Sequence, residues 1–583
     1  MKKLCSVVLM VLLAVGLFAT QYHSVPLSSE AYRIIEVGEN RGIIDVQTEV
    51  KPYNLNTVRK LLKEIKASDL ISESESGIID TLLSEFDSTY GEERIEDYSS
   101  DDISVLNYTH LGVGLETTQK LGLVAGEDMI FDSRNSVSPY IMGDILNVVS
   151  YDLNFKINLD RIDANAYLPT ELKFSTEGFY MNLLDRGARL ESLPDGGFYL
   201  GIETFPEIST SIKDDIAVFR IGAVERDWGP GVNNIALSGT ARVIDGAELS
   251  LKPAKWFSYS VMVGSLGQAS LNSVNGIEWP SENMDEKTGK YSNNISIHRV
   301  ELNLKRMKAS IWESVIWRKR FELSYLNPLA IYMFSQNALG DYDNCLAGFD
   351  ASYTVPGIGT FYAALAMDEL NSIKHPLSCP RNILAFQAGA TFSIPLGSFT
   401  ELKVQGTYIP AFFGAHYQDT EALFANVPYT TAYVNKGQNI GYPVNPDTFE
   451  FLIEFDTTIF SDWKINAIIK DQLRSAQYSF KTTGTDVLTY MNYRAYNSDE
   501  YYDRAFLANI WNNILDMEIN VEKKLKNITF MVGLQGMINS SRSFTPEVRT
   551  NKDGTYNPGK INEWGDWEST FSMIATVGAK IVF

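Results

Sequence analysis

The carboxy-terminal fourteen residues, Thr570 to Phe583, constrain the fold more than any other stretch of this chain. Counted back by twos from the end, Phe583, Ile581, Ala579, Val577, Ala575, Met573 and Phe571 share one face. Lys580, Gly578, Thr576 and Ser572 fall on the other. A period of two belongs to a strand, whose successive side chains leave on opposite faces. One face of such a strand suits lipid and the other suits water.

The same alternation recurs upstream. Asp152 to Asp160, Arg299 to Lys305, Leu515 to Glu522 and, more briefly, Glu401 to Gln405 each place aliphatic residues opposite charged or amide ones. A single strand of this kind would also suit a soluble sandwich. Repetition over some four hundred residues, ending on an aromatic residue, indicates a transmembrane antiparallel β-barrel. No stretch after the leader approaches the ~18 uninterrupted apolar residues of a membrane helix. Thirty Tyr and thirty Phe are enough to supply aromatic girdles at the two membrane interfaces.

Loop lengths give an independent argument. Short turns are expected near 524–527, 460–462, 395–398, 355–359, 305–308 and 251–255. Long connections are expected near 539–568, 473–512, 409–445, 371–381, 317–343 and 265–294. Outer-membrane barrels carry short periplasmic turns and long external loops, and bacterial ones have an even number of strands. Counted back to the start of the alternating region, the pattern gives about eighteen strands.

The amino-terminal part differs. Lys2 and Lys3 before the apolar run Leu4 to Phe18 read as a signal peptide over residues 1–20. Cys5 lies inside it. Residues 25–95 carry i, i+3, i+4 stripes in three places: Ser29 to Arg41, ending at Gly42; Val58, Leu61, Leu62 and Ile65; and Ile78, Ile79, Leu82, Leu83 and Phe86. They predict a small periplasmic α-helical bundle, followed by an acidic linker at 92–102 and a barrel over 103–583. Cys345 and Cys379 remain after export, either as a disulfide or as two thiols.

Several segments together resemble the capsule assembly Wzi family of outer-membrane proteins. Val25-Pro-Leu-Ser-Ser29, Ile43-Ile-Asp45, Lys51-Pro-Tyr53 and Val58-Arg-Lys-Leu-Leu62 resemble its amino-terminal helical region. Arg226-Asp-Trp-Gly-Pro-Gly231 matches its Trp-Gly-Pro-Gly segment. Leu326-Asn-Pro328, Gly340-Asp-Tyr-Asp-Asn344 and Met367-Asp-Glu369 resemble others. The resemblance implies an eighteen-stranded barrel with periplasmic helices that binds or helps to attach surface polysaccharide, lectin-like and without catalysis. It would be a monomer in outer-membrane lipid, inserted by barrel-assembly machinery through its terminal strand.

Residue chemistry leaves two functions open, polysaccharide attachment and a diffusion channel for small solutes. Candidate sugar contacts are Arg226, Trp228, Tyr417, Tyr429, Tyr433, Tyr493, Tyr496 and Tyr501, because aromatic faces with a polar end suit such surfaces. The competing reading gives Trp228 to packing and the tyrosines to girdles. Gly229, Pro230, Gly231, Asn327, Pro328, Asn344 and Phe583 are read as structural. Asp152, Lys156, Arg299, Glu301, Lys305, Glu518 and Glu522 are assigned to the lumen, where cross-strand pairing competes with solute selection. The five His, at 23, 110, 298, 375 and 416, form no metal spacing, and no enzyme signature stands out, so no cofactor is expected. A net charge of −22 argues against nucleic-acid binding.

Overall fold

A computed structural model describes residues 22–91, 106–126, 129–145, 148–163, 179–183, 188–189, 197–212, 215–266, 269–270, 290–291, 293–318, 321–339, 343–370, 374, 382–410, 413–414, 431–435, 438–444, 447–460, 462–475, 507, 509–550 and 556–583. The expected leader and the whole of the expected linker lie outside these residues.

Eighteen antiparallel strands close into a barrel. In chain order they are β1 (Leu106–Val124), β2 (Ile130–Ile145), β3 (Val149–Ile162), β4 (Gly197–Ile212), β5 (Ala217–Val224), β6 (Ile244–Ala254), β7 (Phe257–Ser265), β8 (Asn293–Leu304) and β9 (Met307–Arg318). They continue as β10 (Asn344–Val355), β11 (Gly359–Glu369), β12 (Ile383–Ile394), β13 (Ser398–Ile409), β14 (Thr448–Ile459), β15 (Trp463–Ser475), β16 (Ile510–Leu525), β17 (Ile528–Ser541) and β18 (Glu568–Val582). The seam is the pairing of β1 with β18, in which Gly114 faces Val582 and Val124 faces Ser572. Phe583 adds a last backbone bond to Val113 and leaves its ring 62% exposed.

Every predicted short turn is a tight hairpin, and every predicted long connection joins strands at the opposite end. Lys305 corrects the lumen assignment. It sits in the β8–β9 turn with φ 49°, because a two-residue hairpin needs left-handed backbone there. On β18 the apolar face points outward, with Phe571 and Val577 exposed and Ser572 buried toward the lumen. Leu115, Phe155, Ile221, Phe361, Phe451 and Ile519 extend the same exposed apolar band around the wall. No helix among the described residues is long and apolar enough to cross a membrane.

Three helices precede the barrel. In α1 (Glu30–Arg41) the Ser29 side chain accepts from the Ala31 N–H, and Gly42 ends the helix at φ 74°. α2 (Leu55–Lys66) is capped by Asn54, which accepts from the Thr57 N–H at 2.9 Å. α3 (Glu73–Tyr90) opens with a reciprocal capping box between Ser72 and Glu75. Their apolar stripes share one core, including Ile34, Val58, Leu62, Ile65 and Ile79, and two barrel residues, Met142 and Phe399, belong to it. The helices are therefore docked on the barrel, at its short-turn end.

Candidate functional site

The lumen holds most of the buried polar chemistry. α1 lies across its short-turn mouth and turns a row of charges inward. Glu36 receives Lys51 at 2.8 Å and Lys403 of β13 at 2.9 Å. Burial alone would raise its pKa, but the two lysines together hold the carboxyl well below the usual range. One turn on, Glu39 lies 3.5 Å from Lys308 of β9, which also pairs with Glu49. Burial wins there, with Glu49 and Glu36 adding to it, and pushes the Glu39 carboxyl up to about 7 against the pull of Lys308. Arg33 bonds Glu30, Thr458 and the Phe399 carbonyl, and Lys464 reaches Glu30 at 2.8 Å. From α3, Glu75 accepts from Arg41 at 2.8 Å and from the Phe399 N–H at 3.1 Å.

The chain then climbs the lumen. Val50 and Lys51 pair as an antiparallel ladder with Trp228 and Asp227. This joins the helical segment to the connection between β5 and β6, which starts at the opposite end of the barrel and folds inward. Arg226 is clamped by Glu248 at 2.9 Å and by the carbonyls of Val224 and Ile244. Trp228 is 0% exposed, and its backbone N–H donates to the Leu237 carbonyl. Gly231, at φ 82°, passes so close to the wall that an added Cβ would lie 2.4 Å from Gln405 Oε1 and 2.6 Å from the Tyr362 ring. Gln405 then bonds both the N–H and the carbonyl of Val232.

A second inward connection completes the closure. Tyr433 donates its hydroxyl to the Ala236 carbonyl at 2.8 Å, and the Ser238 N–H donates to Ile440. Trp228, Ile235, Leu237, Tyr433, Ile440 and Tyr442 pack with inward-facing wall residues such as Met262, Ile297, Trp312 and Leu346 into one apolar cluster. Asn344 donates from its side-chain amide to the Gly414 carbonyl at 3.3 Å within this layer.

Among the described residues the lumen is therefore crossed by charge at one end and by hydrocarbon at the other. Between α1 and strands β13–β16 an open polar cleft of about 520 Å³ remains, lined by Glu30, Arg33, Glu36, Glu454, Asp456 and Lys464 among others. A smaller cavity of about 50 Å³ lies behind it, beside Glu39, Lys308 and Tyr362. Other wall charges neutralise one another. Arg299 binds Asp350 through two nitrogens and Glu301 through a third. Arg220 bridges Glu248 and Glu207. Lys156 stands 3.7 Å from Glu116, and Asp152 accepts from Asn154. Glu522 lines the cleft. Among the described residues no group of three or more His, Cys, Asp or Glu could hold a metal ion.

The nominated residues separate in space. Arg226, Trp228, Gly229, Pro230, Gly231, Tyr433 and Asn344 meet inside the lumen closure, where their contacts are to the chain itself. Asn327 and Pro328 lie elsewhere, on a short helical hairpin outside the wall. Tyr417, Tyr429, Tyr493, Tyr496 and Tyr501 fall outside the described residues, as does Cys379; Cys345 is buried in β10. Sequence reasoning did not pick out Glu36, Lys403, Lys308 and Gln405, which anchor the closure. A charged residue on a predicted lumen face was the available signal for Lys403 and Lys308. It also passed over a rim cluster at the long-connection end, where the Arg542 guanidinium lies 3.8 Å from the Trp564 ring centre and 4.8 Å from that of Trp567. An arginine among tryptophans at a barrel rim fits a membrane-interface girdle.

Neither a protein-family model nor a curated protein matches this chain. Among solved structures it is similar to Wzi of Escherichia coli, described as an outer-membrane protein involved in group 1 capsule assembly and a carbohydrate-binding β-barrel. The identity is 10%, the TM-score 0.50, and the match covers 95% of this chain and 99% of that one. Weaker matches are OccAB2 of Acinetobacter baumannii (9% identity, TM-score 0.42, 83% and 100% covered) and OprD of Pseudomonas aeruginosa (8%, 0.40, 84% and 100%). The fold is that of an outer-membrane β-barrel.

Proposed function

We propose that this protein is a non-catalytic, Wzi-like outer-membrane barrel that binds or helps to attach surface polysaccharide of the capsular type. In this reading the three helices and the short turns face the periplasm, and the long connections face outside. The observation that carries it is the filled lumen. A diffusion pore needs a continuous water path, whereas here the helical segment and two inward connections pack against each other along the barrel. The likeness to a barrel described as carbohydrate-binding supplies the ligand class, and the Trp-Gly-Pro-Gly segment shared with that family forms the centre of the closure. Trp228 and Arg226 then act by setting the shape of the closure, and sugar contact falls to residues on the outer connections.

Three measurements test this together. The full chain in planar bilayers is expected to show no steady conductance at neutral pH. Purified protein is expected to retain polysaccharide extracted from the surface of its own cell, and a deletion strain to shed it. Absence of binding by the purified protein, with unchanged polysaccharide retention in the deletion strain, would remove the attachment reading. A second reading, a narrow solute channel, draws on the polar cleft beside α1; steady conductance of the intact chain would favour it.

A further inference from the structure

One connection leaves the barrel on the lipid side. After β9 the chain forms α4 (Leu323–Leu326) and α5 (Tyr332–Leu339), a hairpin that lies against the outer wall. Strand alternation fixes the side. Arg299, Trp312, Ser314 and Leu346 face the lumen, so their neighbours His298, Glu313, Val315 and Cys345 face out. It is these outward residues that the hairpin covers. Tyr325 and Tyr332 pack on Val315, Trp317 and Cys345. The Ser296 hydroxyl donates to the Tyr325 carbonyl at 2.7 Å.

The cover has a polar underside. His298 and Glu313 sit opposite each other mid-strand, with Nε2 and Oε2 3.1 Å apart. The Tyr332 N–H donates to the same Glu313 oxygen at 3.0 Å, and the Tyr332 ring stacks on His298 at 4.5 Å. A polar pair on a lipid-facing wall is costly unless its bonds are met and hydrocarbon is kept away. The hairpin keeps hydrocarbon away and gives Glu313 a backbone donor, while His298 Nδ1 stays without a partner among the described residues.

Its other side is apolar. Residues 321–339 contain one charged residue, Glu322. Phe321, Leu323, Leu329, Ile331 and Phe334 are all exposed, Leu329 by 84%. The hairpin also reaches well down the wall, since the Tyr259 hydroxyl bonds the Pro328 carbonyl. Tyr259 stands in a cross-strand row with Val300, Ile311, Phe349, Leu365 and Phe386. Ile311, Phe349, Leu365 and Phe386 belong to the bare apolar band, Ile311 being 64% exposed. An apolar surface of this size facing water would be a liability, and this one is continuous with the lipid band.

We infer that residues 321–339 form a helical cover immersed in the membrane leaflet at the long-connection end, its exposed face in contact with lipid acyl chains and its underside shielding the His298–Glu313 pair. The Leu326-Asn-Pro328 motif is the tip of that cover, with Asn327 closing α4 and the Pro328 carbonyl anchored to the wall.

The test uses the full chain folded into phosphatidylcholine vesicles, with a photoreactive diazirine amino acid replacing Leu329, and in a separate protein Phe334. Val577 on the bare wall is the reference position. Folding is checked first by resistance of the barrel to detergent without heating. The expected result is phospholipid adducts at both positions, in yields comparable with Val577. Water-quenched product at Leu329 and Phe334, with lipid adducts only at Val577, would put the hairpin in the aqueous phase and overturn the inference. Covalent dimers would overturn it in favour of a second copy covering this face.

Discussion

The two ends of the lumen are closed by different chemistry. At the short-turn end α1 is held by ion pairs, with Glu36 between Lys51 and Lys403 and Glu39 beside Lys308. At the other end Trp228, Ile235, Tyr433 and Ile440 close the barrel with hydrocarbon and a few backbone-directed bonds. Apolar packing responds little to pH, and buried ion pairs respond strongly once one partner changes charge. One closure is therefore conditional and the other permanent under the same solution conditions.

The sharpest way to break that contrast is to empty the hydrocarbon end. Trp228→Ala removes a fully buried ring, at a cost of roughly 3–5 kcal/mol, and should lower the urea midpoint by the same amount at every pH. At the charged end, Lys403→Met leaves Glu36 with one cation and Glu401 in a buried site without its lysine; a loss of about 3 kcal/mol follows. Adding Glu36→Gln should recover part of it, read as a partial return of the unfolding midpoint and loss of any new conductance. If the single and double variants are equally unstable, the ion pair is not what docks α1.

Acidification separates the ends without mutation. The carboxyls of Glu30 and Glu36 are held below the ordinary 4.5: burial opposes the shift, and nearby Lys464 and Arg33, or Lys403 and Lys51, outweigh it. Their contribution is complete above pH 4.5 and is lost as pH falls below it. Glu39 has the opposite sign: raised to about 7, it favours the folded state as pH drops from 7 toward 4.5. Docking of α1 should thus be tightest near pH 5 and fail in stronger acid. Conductance events that begin only below about pH 4.5 would fit this, and events equally frequent at pH 7 would not. The smallest expected effect is Tyr433→Phe, which removes one hydroxyl bond to Ala236 for about 1 kcal/mol, independent of pH.

Strand positions were legible because one face of each strand meets lipid and the other meets water, so alternation survives in the residues themselves. Asp152 to Asp160 lies within β3, Arg299 to Leu304 within β8 and Leu515 to Glu522 within β16. Helix limits were legible through Ser29 and Gly42, whose caps are local. What the connections do was not. Pairing of Val50 with Trp228 joins residues far apart in sequence, and nothing in either segment names the other. Tyr433 reads as an exposed sugar platform because loop aromatics usually are; its burial depends on the inward fold of a neighbouring connection. The apolar run at 321–339 was visible as composition, but its place outside the wall follows only from the orientation of His298 and Glu313.

The ladder between Val50–Lys51 and Asp227–Trp228 has a mechanical meaning. It ties α1 to the opposite connection by backbone bonds that lie across the path of the chain. A pull on the amino-terminal helices would load those bonds in turn, then Trp228 against Leu237, then Ser238 against Ile440. Force applied on one side of the membrane would reach residues at the far rim through a single folded cord, with no strand of the barrel having to move.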